Sequence, residues 1–268
     1  MDKINKLKVF LEIILFVFKS ANGVSLSDVE ILSTVQQRIL LITIDGFRDD
    51  YINEYNLPGF KRFKFHGVHS RFLVPEYPAL TIPSFWSMAT GVHVEKHGIV
   101  SNNFYDPVIN RKFDNHDYSY NRLKLWSNQD PVWIDAVRAK LKTALLFWPK
   151  PKEMVYDPLL KFDDNKTNHR ALSLNEKIDI AIDLFRNGKF QFVVLNHNQP
   201  SGSLFEHGIG GSVFNQTLQT LDQSIQHLLL KLEQNFMFDA SLDFNVIVLS
   251  NYGNTLSNQI NVENKILT

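Results

Sequence analysis

Five short runs of β-branched and apolar residues punctuate the chain: Arg38 to Ile44, Val68 to Val74, Thr143 to Phe147, Phe190 to Leu195 and Val246 to Ser250. Each reads as a strand, and stretches of helical period lie between them. Leu174 to Asn187 opens on the capping box Ser173-Leu174-Asn175-Glu176 and stops at Gly188. Val213 to Glu233 sets Leu218, Leu221, Ile225, Leu228, Leu229 and Leu232 on one stripe, and Asp130-Pro131 opens a further helix. Strands that alternate with helices are joined by crossovers, which predicts an α/β fold: a mostly parallel central sheet with helices on both faces. In such a sheet ligands bind beyond the carboxyl ends of the strands. That directs attention to Asp45-Gly46-Phe47, to Asn196 through Ser201 and to Asn251-Tyr252-Gly253. The polar, aromatic stretch from Asn110 to Leu125 reads as a long excursion from the core.

An apolar content of 44% in 268 residues is enough for a substantial core and excludes disorder as the default state. Lys plus Arg (28) balances Asp plus Glu (28), and no run of like charge stands out, so the electrostatic footprint of nucleic-acid binding is missing. A small molecule or a protein is the expected partner. With no cysteine, disulfides, metal thiolates and cysteine nucleophiles are all excluded.

Residues 1–23 have the pattern of a secretory signal: lysines at 3, 6 and 8, an apolar stretch from Val9 to Phe18 broken by Glu12, then Ser20, Ala21 and Gly23. The expectation is a secreted domain over residues 24–268, with membrane attachment only if that segment is retained. The sequons Asn165-Lys166-Thr167 and Asn215-Gln216-Thr217 fit the secretory route.

Three positions could carry chemistry. Asp45 ends a buried strand and could hold a divalent cation, although Asp before Gly is also an ordinary turn. In "YPALTIPSFWSMATG" a helix is predicted from Pro83 to Gly91, placing the Thr81 hydroxyl just ahead of its N-terminus, either as a nucleophile or as a plain cap. The amide of Asn102 could donate to a developing phosphoryl oxyanion or simply close a surface turn. Trp148 reads as the wall of a stacking pocket or as core.

The segments "LLITIDGFRDDY", "PEYPALTIPSFWSMATGVHVEKHGIVSNNFYDP" and "DPVWIDAVRAKLKTALLFWP" resemble the nucleotide pyrophosphatase/phosphodiesterase family of the alkaline phosphatase superfamily, in order from about residue 39 to 253. The resemblance implies an alkaline-phosphatase-like fold and a two-zinc site that splits phosphodiesters through a covalent threonine intermediate. Thr81 then matches the nucleophile, Asp45 a carboxylate sharing a zinc with it, Asn102 the oxyanion amide and Trp148 a wall of the nucleotide pocket. Ile82 stands where the family places a Phe that stacks on the base. The family's "EPD..GH" falls on "QPSGSLF" and its "SDHG" on "SNYG", so Ser201, Phe205, Asn251 and Tyr252 occupy four zinc-ligand positions; a last zinc-binding His would lie beyond Thr268.

Catalytic zinc sites use three or more imidazole, thiolate or carboxylate ligands. The leading expectation is therefore a family-like protein that has lost hydrolysis, binds no zinc and retains weak binding of phosphate or a partner. A second reading keeps a metal-dependent hydrolase, with Thr81 as nucleophile and ligands moved to the neighbourhood of His197, Asn198 and His207. A third treats the chain as truncated relative to the family, which predicts an open strand edge and a sheet incomplete at its C-terminal side.

Overall fold

A computed structural model describes residues 36–114, 129–148, 160–162, 172–235 and 242–254. The N-terminal segment 1–23 and the sequon at Asn165 lie outside these residues. β1 (Gln36–Ile44) is the spine of the sheet: it pairs in parallel with β6 (Phe192–His197) on one side and with β7 (Leu242–Ser250) on the other. β4 (Thr143–Leu146) adds beyond β6, and β5 (Leu160–Phe162) beyond β4, giving the order β5-β4-β6-β1-β7 with every pairing parallel.

The strands read as continuous apolar runs because both faces are covered. Leu40, Ile42 and Ile44 enter one core with Val193 and Leu195, while Ile39, Leu41, Phe192 and Val194 face a second. Over the first core lie α2 (Pro58–His66), α6 (Leu174–Arg186) and α8 (Ser212–Asn235). Over the second lie α3 (Thr81–Thr90) and α5 (Val132–Arg138). Short helices α1 (Tyr51–Glu54), α4 (Val94–His97) and α7 (Ser201–His207) fill the turns. The antiparallel hairpin β2 (Asn103–Asp106) and β3 (Arg111–Asp114) packs Phe113 against Ile82, Trp86 and Ile99 under α3.

The local signals act as chemistry requires. The Ser173 hydroxyl accepts the Glu176 N–H, and Glu176 accepts the Ser173 N–H at 2.8 Å, so both halves of the capping box are made at the start of α6. His97 is wholly buried: Nδ1 accepts the Ile99 N–H at 3.0 Å, which leaves Nε2 to donate to Ser87 Oγ at 2.9 Å. Burial holds this imidazole neutral, with its pKa down to about 4.

Several expectations are corrected. Val68 to Val74 is not a strand: both edges of β1 are taken by β6 and β7, and the stretch lies exposed between α2 and α3. α3 begins at Thr81 rather than Pro83, with Leu80 in the cap position, so Thr81 is the first helical residue and not the cap. Pro131 is itself the residue before α5. β6 starts and ends two residues later than the apolar run indicates, and β7 starts four residues earlier. Of the excursion from Asn110, the described part closes the hairpin; residues 115–128 lie outside the description.

α2 seats on α8 at Gly59. A Cβ there would lie 2.5 Å from the Asp222 carbonyl and 2.7 Å from Gln226 Cγ, and the next residue's N–H bonds Asp222 Oδ1 at 2.9 Å. Gly59→Ala is expected to push the helices apart and cost about 1–3 kcal/mol, measured by urea unfolding. A neutral or stabilising result would show that this close approach does not hold α2 in place.

Candidate active site

β1, β6 and β7 end level with one another, at Ile44, His197 and Ser250, so the residues that follow them meet in one place. Asp45 leaves β1 with its N–H bonded to the His197 carbonyl at 2.9 Å, and its own carbonyl accepts the Ser201 N–H at 3.0 Å, which pins the first turn of α7 beside it. Gly46 turns the chain at φ 78°, a left-handed conformation that favours glycine; a Cβ would also lie 2.4 Å from Asn254 Nδ2.

Asn251 fixes the centre. Its side-chain oxygen accepts the N–H groups of Gly46 at 3.1 Å and Tyr252 at 3.0 Å. Those bonds aim the amide nitrogen at Asp45, to which it donates at 2.6 Å. Asn251 is 1% exposed, so these bonds are made away from water. A second carboxylate this close to Asp45 would need a cation or a shared proton between them; an amide needs neither.

Tyr252 links the remaining groups. Its hydroxyl lies 2.8 Å from Ser201 Oγ, accepts from Thr81 Oγ1 at a long 3.4 Å, and also bonds Asp45. Burial and the neighbouring Asp45 charge push the phenol above its ordinary pKa, so it stays protonated. Asp45 is pushed up to about 6, chiefly by burial, with the bonds from Asn251 and Tyr252 opposing the shift. Thr81 therefore meets a protonated phenol and reaches Asp45 only through it.

At the start of α3 the Ile82 N–H donates to Asn102 Oδ1 at 2.9 Å, Pro83 has no N–H, and the Ser84 N–H bonds the Leu80 carbonyl. Among the described residues, this first turn leaves open the Thr81 N–H and the Asn102 amide nitrogen, while the Thr81 hydroxyl is turned to Tyr252. That is a smaller anion cradle than a helix N-terminus alone promises.

The structure thus brings together Asp45, Thr81, Ser201, Asn251 and Tyr252, with Asn102 at the edge. Phe205 is 75% exposed and takes no part in the cluster. Ile82 is buried against Trp86, Ile99 and Phe113, and Trp148 is buried between the rings of Phe85 and Trp133, so neither offers an open face to a ligand.

His197 follows Leu195 onto the first core's face, away from α3; burial and, after it, the Lys177 charge lower its pKa to about 3. Asn198 is exposed, and His207 lies beside Glu206 at the far end of α7. No group of three His, Asp or Glu able to hold a metal occurs among the described residues. One carboxylate, one neutral amide and three hydroxyls do not fit a zinc ion. Its position in the sequence places Tyr252 at a zinc-ligand site of the family but does not show it as a hub; only the convergence of three strand ends makes it one.

The sequence model of the type I phosphodiesterase/nucleotide pyrophosphatase family matches residues 39–267. The chain belongs to that family. Among curated relatives, a Schizosaccharomyces pombe protein described as an uncharacterised pyrophosphatase/phosphodiesterase is 36% identical over 115 residues, covering 42% of this chain and 24% of the relative. Bovine ectonucleotide pyrophosphatase/phosphodiesterase family member 3 is 27% identical over 220 residues, 80% of this chain and 24% of the relative. This chain therefore spans about a quarter of the length of these relatives. The solved structure of an inactive variant of murine ectonucleotide pyrophosphatase/phosphodiesterase 5 in complex with AMP superposes with TM-score 0.70 at 23% identity, over 81% of this chain and 57% of that one. The human counterpart gives TM-score 0.69 at 24% identity. These likenesses establish the alkaline-phosphatase-like fold.

Asp45 sets a pH dependence with a definite sign. The folded chain holds this proton up to about pH 6, whereas an ordinary aspartate carboxyl, with a value of 3.8, loses it earlier in the unfolded chain. Its contribution is fully favourable below about pH 4 and is lost as pH rises through about 6. Asp45→Asn is expected to remove that slope and to raise stability at pH 7 by about 3 kcal/mol, as measured by urea unfolding across pH 4 to 7. An unchanged slope would mean that the carboxylate is better solvated than its burial implies.

Proposed function

We propose that this protein is a secreted member of the phosphodiesterase family that has lost hydrolysis and binds a phosphate group or a partner weakly through the old crevice. The observation that carries the reading is the Asn251 amide, held by two backbone N–H groups and donating to Asp45 at 2.6 Å. It closes with protein hydrogen bonds the place where the family would set a metal between acidic ligands. Metal-assisted phosphoryl transfer needs a Lewis acid on the transferred oxygens and an agent that lowers the nucleophile's pKa. Thr81 has neither: its hydroxyl faces Tyr252, which remains protonated.

Binding is the residual capacity. The Thr81 N–H and the amide nitrogen of Asn102, whose oxygen accepts the Ile82 N–H at the start of α3, suit a phosphoryl oxygen. The buried Ile82 and Trp148 speak against a nucleobase as the recognised part. Secretion rests on the pattern of residues 1–23 and on the sequon at Asn215, which is exposed near the start of α8. Among the described residues no helix is long and apolar enough to cross a membrane.

The test compares this chain with Thr81→Ala on bis(p-nitrophenyl) phosphate and on a nucleotide p-nitrophenyl ester, with zinc supplied. Equal background rates are expected, together with a millimolar-range affinity for inorganic phosphate, about 4 kcal/mol, that falls in Thr81→Ala/Asn102→Ala. Zinc-dependent turnover abolished by Thr81→Ala would instead establish the reading with relocated ligands.

A further inference from the structure

Cationic and acidic side chains balance over the whole chain and form no run, yet the fold gathers several cations at the end of the sheet opposite the crevice. There α5 and α6 finish and the chain turns into the N-terminal ends of β4 and β6. Lys140 and Lys142 lie on the first of these turns, Arg186 closes α6 and Lys189 follows it, and all four are exposed. Hydrogen bonds stitch the two turns together. The Lys142 N–H donates to Gln191 Oε1 at 3.1 Å, the Gln191 N–H to the Lys142 carbonyl at 2.9 Å, and Lys142 Nζ to the Gly188 carbonyl at 2.5 Å. β1 begins beside them: the Ile39 N–H donates to the Gln191 carbonyl at 2.8 Å, and the buried Arg38 donates through Nη1 to the Phe185 carbonyl at 3.0 Å. Asp130 and Asp135 are taken by Arg138 at the end of α5; among the described residues no carboxylate pairs with Arg38, Lys140, Lys142, Arg186 or Lys189.

Two of these lysines hold a backbone conformation that other residues adopt at lower cost. Lys140 has φ 63° and Lys189 φ 52°, in the left-handed region that Gly and Asn favour; Asn56 and Asn110 show the ordinary choice elsewhere in the chain. The macrodipole favours a cation near a helix C-terminus, but any site in the last turn gives that gain without left-handed backbone. The two lysines also stand level. Lys140 precedes Thr143 by three residues and Lys189 precedes Phe192 by three, and Thr143 and Phe192 are partners across β4 and β6. Charge set in register at a local cost calls for a ligand of opposite charge. The surroundings narrow its class. Phe185, Phe190 and Phe192 are buried, so these rings are closed to a nucleobase, and among the described residues no large exposed apolar side chain belongs to these turns, so a lipid surface finds nothing to insert. Recognition here rests on charge alone, which suits a polymer that is densely anionic and has no apolar part.

We propose that Lys140, Lys142, Arg186 and Lys189, with the buried Arg38 adding to their charge, form a binding surface for a sulfated polysaccharide. It lies at the other end of the strands from Asp45 and Thr81 and is independent of the reading of that crevice. Heparin titrated at physiological ionic strength tests it on the whole chain, on Lys140→Asn/Lys189→Asn and on Lys61→Asn/Lys96→Asn, which makes the same change of charge at exposed positions of α2 and α4. Asn suits both left-handed positions, so the first pair is expected to resist urea at least as well as the parent. Its heparin affinity is expected to fall about tenfold or more and to depend less steeply on salt, against a change of about twofold or less in the second pair. Arg186→Gln, which leaves both turns intact, is expected to weaken binding about threefold. No measurable binding by the unsubstituted chain, or equal losses in the two pairs, would overturn the proposal. Duplex DNA or phosphatidylglycerol vesicles that bind as tightly as heparin at matched charge would overturn it too and assign the surface to nucleic acid or to a membrane.

Discussion

The amide of Asn251 ties the ends of β1 and β7 together and fixes what the crevice between them can do. With its oxygen committed to Gly46 and Tyr252, its nitrogen has one direction left, and Asp45 is there. The buried carboxylate is thereby neutralised in part by dipoles rather than by an ion, and its raised pKa shows the compensation to be incomplete. Tyr252 completes the arrangement by drawing Ser201 and Thr81 onto one hydroxyl. The site is coherent as a hydrogen-bonded cluster.

The scaffold accounts for why such a cluster forms. Three parallel strands whose last pairs are level deliver Asp45, the turn into α7 and Asn251 to the same depth. On the proposed reading, zinc ligands give way to amide, phenol and hydroxyl groups without movement of the strands, because Ser201, Asn251 and Tyr252 each find a partner at hydrogen-bond distance. On that reading the frame and family are kept while the chemistry at the strand ends differs.

Much of this could be read in the sequence, for physical reasons. Strands buried on both faces announce themselves as apolar runs, and β1, β4, β6 and β7 were found within a few residues, as were α6 and α8 from their stripes. Val68 to Val74 has the same composition yet makes no ladder, because propensity records what fits a pleated surface and not whether an edge is free. α1 and α2 went unmarked, being short and interrupted by Asn56, Leu57 and Pro58. At the site, Asp45, Thr81, Asn102, Ser201, Asn251 and Tyr252 were all singled out by position. What stayed hidden was their mutual bonding: that Asn102 spends its oxygen on the Ile82 N–H, and that Tyr252 is a hub, depends on how separate strand ends align.

The central claim is that the crevice is closed by its own hydrogen bonds to the ion that its family uses. The most direct measurement is the number of zinc ions per chain in the purified, zinc-equilibrated protein by native mass spectrometry, beside Asp45→Ala. The account predicts essentially no zinc in either. One or two zinc ions per chain, lost in Asp45→Ala, would contradict it and return Thr81 to consideration as a metal-activated nucleophile.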